Sequence, residues 1–214
     1  MTFNPDIHHR RSIRLKEYNY SGVGAYFVTL CAFQRECLFG DVVDSEMLVN
    51  PYGEIVRECW KRLPDYFPYV EIDGFVVMPN HFHALLLINE SVGAKQGISA
   101  SPAFDLHDNK GEYCNQGEAG DAVASPLPPI RESSSLLQGT LPGSLGAIVQ
   151  NFKSVSTRKS NKLRENPGCP IWQRNYYERV IRNEKELSTA REYILNNPMQ
   201  WDLDKNNPIN IIQP

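Results

Sequence analysis

Long apolar runs, paired cysteines and surplus positive charge are all scarce in this sequence. No apolar stretch reaches the roughly 20 residues that cross a bilayer as a helix, and no signal-peptide core is expected at the N-terminus. A cytoplasmic protein without a membrane partner is therefore expected. The 5 cysteines, Cys31, Cys37, Cys59, Cys114 and Cys169, are odd in number and scattered, with no C-x-x-C pair. That pattern excludes a disulfide frame or a cysteine-rich zinc site and reads as reduced thiols. The formal net charge of -3 does not by itself point to a polyanionic partner, although segregated charges can outweigh the total. A chain of 214 residues suffices for one domain with a core, or for one domain carrying an insertion.

From Ser91 to about Pro142 periodicity is missing as well. This stretch is rich in Gly, Ser, Ala and Pro, includes Ser125-Pro126-Leu127-Pro128-Pro129, and is expected to be a flexible insertion or linker over 91–142. His107 and Cys114 fall within it and receive no role. Around it the pattern is regular. Residues 25–34 alternate as a strand. Asn50-Pro51-Tyr52-Gly53 reads as a turn, followed by helical spacing of Ile55, Val56, Cys59, Trp60 and Leu63 up to Pro64. Residues 69–78 and 81–89 read as neighbouring strands across Pro79-Asn80. Gly143-Ser144 opens a helix to about Leu163. Ile171 to Tyr177 is strand-like, and Asn183 to Asn197 is a helix with an asparagine cap, ended because a residue before proline is pushed out of helical geometry. Without its last helix the order is β-α-β-β-α-β, an α+β ferredoxin-like arrangement with helices on one face of an antiparallel sheet.

Two constellations carry chemistry. In His81-Phe82-His83 the imidazoles sit at i and i+2 of a strand, on one face about 7 Å apart at the backbone, close enough to converge on one ion. Phe82 points to the other face. The same spacing also suits two ordinary histidines on a half-buried strand. On the last helix Tyr193 and Asn197 are i and i+4, so phenol and carboxamide stack along one face. They read either as a nucleophile beside an oxygen ligand or as a core-edge tyrosine with a helix-stopping asparagine. Tyr176 and Tyr177 are rival nucleophiles without a polar residue one helical turn away, better suited to core packing or base stacking, and Trp172 to anchoring the core.

The charges are segregated. Arg10, Arg11, Arg14 and Lys16 form a basic arm within residues 1–24. Lys153, Arg158, Lys159, Lys162 and Arg164 form a second basic stretch on a helix, while Asp105, Asp108, Glu112, Glu118 and Asp121 collect in the insertion. Two basic elements set apart from the acid can neutralise backbone phosphates, and Gln173 and Arg174 are further candidates.

Taken together, these stretches resemble a known family. The carriers are His9-Arg10-Arg11-Ser12-Ile13-Arg14-Leu15, Ala25 to Cys31, Val77-Met78-Pro79-Asn80-His81-Phe82-His83, Leu145 to Ser154, Ile171 to Glu178, and Tyr193-Ile194-Leu195-Asn196-Asn197-Pro198. In that order the sequence resembles a REP-associated tyrosine transposase, one of the single-tyrosine transposases (insertion-sequence-200-like) of the HUH endonuclease superfamily. The resemblance covers nearly the whole chain outside the insertion. It implies the same ferredoxin-like fold, formed by residues 25–90 and 143–200, with 201–214 as a C-terminal tail.

It also implies an activity: cleavage and rejoining of single-stranded DNA at hairpin-forming repeats. Tyr193 would be the nucleophile, forming a 5′-phosphotyrosine, and His81, His83 and Asn197 would hold a divalent ion. Two imidazoles and an amide oxygen suit Mg2+ or Mn2+ better than a structural zinc. Arg10, Arg11, Arg14, Lys153, Arg158, Lys159 and Arg174 would bind the DNA. Relatives work as monomers or dimers, and paired strand exchange favours a homodimer. Two other functions remain open: a domesticated regulator that binds repeat hairpins without moving DNA, and a metal-dependent nuclease that uses water.

Overall fold

The computed structural model describes residues 22–89 and 141–211. The basic arm with Arg10, Arg11 and Arg14, and nearly all of the insertion, lie outside the described residues. Strand β1 (Gly24–Cys31) alternates as its sequence does, with Tyr26, Val28 and Leu30 fully buried. A short 3-10 turn at Phe33–Arg35 ends it earlier than residue 34. A hairpin that the sequence reading missed follows: β2 (Gly40–Val43) pairs with β3 (Glu46–Val49). Its two-residue loop, Asp44-Ser45, has both φ angles positive, at 50° and 65°. That conformation matches the twist of a tight hairpin but is usually announced by glycine.

The stretch Asn50 to Gly53, read as a turn, is instead the start of helix α1 (Pro51–Lys61). Asn50 caps it, its side-chain oxygen accepting from the N–H groups of Tyr52 and Gly53 at 2.9 and 3.1 Å. Pro51 occupies the first helical position, where its missing N–H costs nothing. One more short turn, α2 (Leu63–Tyr66), leads to strands β4 (Val70–Met78) and β5 (His81–Ile88), joined through Pro79-Asn80. Beyond the insertion, Ser144 caps α3 (Leu145–Leu163).

The next strand is displaced from its predicted place. Residues 171–176 make only a brief contact with the sheet: an isolated bridge joins Trp172 to Ala32, and Gln173 N–H donates to Cys31 C=O. Strand β6 is Tyr177–Ile181. The apolar run was misleading because Ile171 and Trp172 are buried as plugs of the core and not as members of a ladder. Trp172 does serve as a core anchor, its indole N–H donating to Ser156 Oγ at 2.9 Å.

Helix α4 (Glu184–Asn196) begins at its predicted cap, Asn183. Its end differs from expectation. Asn197 keeps right-handed helical angles (φ -60°, ψ -42°) before Pro198, and the chain runs on through a 3-10 turn at Pro198–Leu203. Burial of Trp201 and of the Asn197 side chain holds the chain in this tightened continuation. A last short turn, α5 (Pro208–Ile211), follows. The segment read as a tail is thus packed in part, with Trp201, Asn206 and Asn207 all buried.

The main sheet has the order β4-β5-β1-β6, every neighbouring pair antiparallel. Leaving aside the hairpin, the four strands stand in the second-third-first-fourth order of a ferredoxin-like α+β fold. Helices α1 and α3 pack on one face through Trp60, Phe82, Phe152 and Val56. Helix α4 packs on the other, with Ile194, Leu187 and Ala190 against Leu85, Ile181, Phe27 and Val76. Strand β5 is therefore covered on both sides, and nearly all its residues are buried.

Candidate metal and nucleophile site

Cross-strand register decides which side chains meet. Thr29 lies opposite His83 on β5 and Tyr177 on β6, while Cys31 lies opposite His81. Paired residues share a face, so both histidines emerge under α4 while Phe82 enters the α1–α3 core. The imidazoles are 0% and 3% exposed, with ring centroids 4.6 Å apart.

Each ring is held from behind. Asn80 Nδ2 donates to Arg35 C=O at 3.0 Å and to Asn206 C=O at 2.7 Å. With both N–H groups so committed, the oxygen of Asn80 must be the atom 2.9 Å from His81 Nδ1. An amide oxygen only accepts, so Nδ1 carries the proton and Nε2 keeps its lone pair. His83 Nδ1 contacts Thr29 Oγ1 at 2.8 Å, and its ring stacks on Phe27.

The predicted partners arrive from α4. Tyr193 Oη lies 3.4 Å from His83 Nε2, the two rings edge to face at a centroid distance of 5.2 Å. The phenol is 41% exposed and so open to a large substrate, whereas Asn197 is 2% exposed. Among the described residues, Asn197 Oδ1 and His81 Nε2 are buried polar atoms without a hydrogen-bond partner. Orphaned groups of this kind cost on the order of 1–3 kcal/mol each unless something satisfies them. Unpaired nitrogen and oxygen lone pairs in one buried place fit a divalent cation. Asp204, missed in the sequence, completes the surroundings: its Oδ2 lies 3.7 Å from His81 Nε2. One ligand atom each from His81, His83 and Asp204 falls within 4.8 Å of the others.

Burial dominates the electrostatics. It lowers the His81 pKa to about 4, helped by the charges of Arg35 and Lys205, against the opposing pull of Asp204 and the Asn197 side chain. His83 is held well below its ordinary value by burial, then by His81 and Lys205. Both rings are thus neutral at neutral pH, the state a metal needs. Burial, then the charge of Asp204, raises the Tyr193 phenol, with the Asn197 side chain opposing.

The expected DNA contacts are dispersed. Lys153 points inward, its ammonium held by the carbonyls of Gln173 and Arg174, and burial lowers its pKa to about 8. Arg158 and Lys159 are exposed on α3, in the layer across the sheet from the histidines. Arg174 is exposed one residue beyond the Gln173–Cys31 bond, at the histidine end of the sheet. Tyr176 packs against the core, and Tyr177 is exposed on the same sheet face as His83. Nothing in the sequence singled out Thr29 or Asp204. Asn80, like Thr29, lay within a stretch that carries the resemblance, but without a role.

No family model matches the chain. An "uncharacterized protein" of Haemophilus influenzae is 39% identical over 206 residues, which cover 95% of this chain and 96% of that one. The chain belongs to that protein's family. Among solved structures it is similar to a REP-associated tyrosine transposase bound to a REP hairpin, with 17% identity and a TM-score of 0.50, covering 89% of this chain and 74% of that one. At that identity the likeness establishes the α+β fold and leaves the chemistry to be argued from the residues. No described helix is long and apolar enough to cross a membrane.

Proposed function

We propose that this protein is a transposase of the HUH type, which cleaves and rejoins single-stranded DNA at hairpin-forming repeats through Tyr193. The observation that carries the reading is the approach of Tyr193 Oη to within 3.4 Å of His83 Nε2, over a buried imidazole pair. The likeness to a hairpin-bound transposase supports the same reading. His81, His83 and Asn197 would hold Mg2+ or Mn2+, which when bound acts as a Lewis acid toward a phosphodiester.

The chain's own groups do the rest. Asn80 and Thr29 orient the imidazoles from behind, as supports of metal-binding histidines do. The half-exposed phenol of Tyr193 meets phosphorus from the open side. The phenolic oxygen forms the new bond to phosphorus while its proton passes to solvent. The bond to the 3′-oxygen breaks, and that oxygen leaves with the electron pair and takes up a proton as a free hydroxyl. A phosphotyrosine conserves the energy of the broken ester, so a hydroxyl from another strand reverses the step and joins. Arg174, Arg158 and Lys159, with Arg10, Arg11 and Arg14 of the N-terminal arm, would supply phosphate contacts along the hairpin and its flank. Tyr177, exposed beside the site, suits stacking of a flanking base.

Incubation of the protein with end-labelled hairpin DNA and Mn2+, followed by detergent denaturation, tests this. A covalent adduct is expected, abolished in Tyr193→Phe. Cleavage without an adduct that persists in this variant would replace the transposase with a water-using nuclease. Binding without cleavage, in Mn2+ and again in Mg2+, would leave a hairpin-binding regulator.

A further inference from the structure

We propose that Asp204 is a direct ligand of the divalent ion, so that a carboxylate joins the two imidazoles and the Asn197 amide in holding it. The proposal rests on the reading above only in that an ion binds at His81 and His83. The resemblance drawn from the sequence supplies Asn197 as the oxygen ligand and is silent on Asp204.

Asn80 fixes the state of His81. Because both of its N–H groups are committed to carbonyls, His81 Nδ1 is the protonated nitrogen and Nε2 presents a lone pair. That lone pair is buried and has no hydrogen-bond partner. Across from it, at 3.7 Å, stands Asp204 Oδ2, on a side chain 8% exposed. Two electron-rich atoms buried face to face repel each other, and neither can satisfy the other. The gap exceeds the roughly 2.7–3.2 Å of a good N–H···O hydrogen bond, so a shared proton does not bridge it well either. It does suit two ligands of one cation, each about 2.0–2.3 Å from the ion. A ligand atom of His83 lies in the same cluster, within 4.8 Å of the other two.

The carboxylate is also held in place. Asp204 Oδ1 accepts from Asn206 N–H at 2.6 Å. Asn206 in turn gives its carbonyl to Asn80 and its side-chain oxygen to Arg35. The same Asn80 that sets the His81 tautomer therefore fixes the segment carrying Asp204. Supports shared in this way are what a built ligand set requires. A carboxylate also adds the formal negative charge that a dication in a dry site needs, and it favours Mn2+ or Mg2+ over softer metals.

Titration of Mn2+ alone into the full-length chain tests the assignment, read by calorimetry and by the metal-induced rise in melting temperature. The wild type is expected to bind one ion, with binding lost in His81→Ala. Asp204→Ala should weaken Mn2+ binding by more than the roughly 10–100-fold that loss of an outer-shell support costs, and a loss within that range would make Asp204 a support of His81 and not a ligand. Asp204→Asn keeps the shape without the charge; it should fall between and carry the comparison if the alanine variant fails to fold. Unchanged Mn2+ affinity in Asp204→Asn, with His81→Ala inert, overturns the assignment and leaves the histidine site standing. Unchanged binding in His81→Ala overturns the metal site itself, and Asp204 with it.

Discussion

The two faces of the central sheet solve different problems, and His81-Phe82-His83 belongs to both. Under α1 and α3 the sheet is dry and aromatic: Phe82 meets Trp60, Phe75 and Phe152 at centroid distances of 5.0, 5.9 and 5.4 Å. Under α4 the apolar contact shrinks to a small cluster around Leu85, Ile181 and Ile194. Beside it lie two imidazoles, a carboxamide and a carboxylate whose polar atoms are only partly satisfied. One face holds the fold and the other tolerates the strain of a site. Their separation by a single peptide step is what makes the site rigid, because the strand that presents the histidines is anchored by the residue between them.

The largest expected effect tests that division directly. Phe82→Ala opens a cavity among rings that cannot collapse fully and should cost about 3–5 kcal/mol of stability, measured by urea unfolding in the presence of a chelator. His83→Ala under the same conditions removes a buried polar ring held by Thr29, by the long contact to Tyr193 and by its stacking on Phe27, and should cost less. Equal losses would mean that both faces are structural.

Acid sharpens the comparison from the polar side. The His81 pKa is about 4 in the folded chain against an ordinary value of 6.5, lowered first by burial. Between those values the unfolded chain binds more protons than the folded one, so stability is fully present above about pH 6.5 and falls as pH drops toward 4. The difference corresponds to a loss on the order of 3 kcal/mol from this ring alone, and His83 adds to it in the same direction. Metal-free unfolding at pH 7 and pH 4.5 checks this, and His81→Asn should flatten the slope. A slope that survives in His81→Asn,His83→Asn would place the acid sensitivity elsewhere.

Asn80 comes next. Asn80→Ala strips partners from one buried and one partly buried carbonyl and from His81 Nδ1. A cost of about 1–3 kcal/mol is expected from the unpaired groups. It should weaken Mn2+ binding too, since both the ring tautomer and the Asp204 segment lose their support. Loss of stability with unaltered Mn2+ affinity would show that Asn80 serves only the fold.

How much of this could be read in advance follows the same division. The four sheet strands, α1, α3 and α4 announced themselves by alternation, by helical spacing and by Asn183 and Ser144 at the caps, because burial of one face leaves a period in the sequence. The β2–β3 hairpin did not, since its loop reaches positive φ with Asp44-Ser45 in place of glycine. Strand β6 was misplaced by Ile171 and Trp172, whose burial comes from plugging a core end. In the site, the directions of His81 with His83 and of Tyr193 with Asn197 were legible because spacing within one element fixes them, whereas the expectation that the two pairs meet came only from the resemblance. Asp204 was not legible. It follows a 3-10 turn whose course is set by Trp201 packing beneath His81 at a centroid distance of 6.0 Å, a tertiary contact that leaves no local signal.

The smallest expected effect concerns how α4 is tied to the sheet. A break in the β4–β5 register between Ile72 and Phe75 projects Asp73 toward α4, where Arg191 grips it through Nε and Nη2, the shortest bond being 2.7 Å. Arg191 also reaches Glu184, but it is substantially exposed, and solvent and salt screen such a pair. Arg191→Ala should therefore leave the urea midpoint nearly where it is, unlike any change on the dry face. The consequence should be local: two residues from Tyr193, the helix loses its only charged clamp to β4 among the described residues. Amide hydrogen exchange in α4 should quicken while exchange in α1 and α3 stays unchanged, because locally weak elements open without global unfolding. Raised salt should reproduce the effect in the wild type. Uniform acceleration across all three helices would show instead that α4 unfolds only with the whole domain, and that the two faces are not energetically separable.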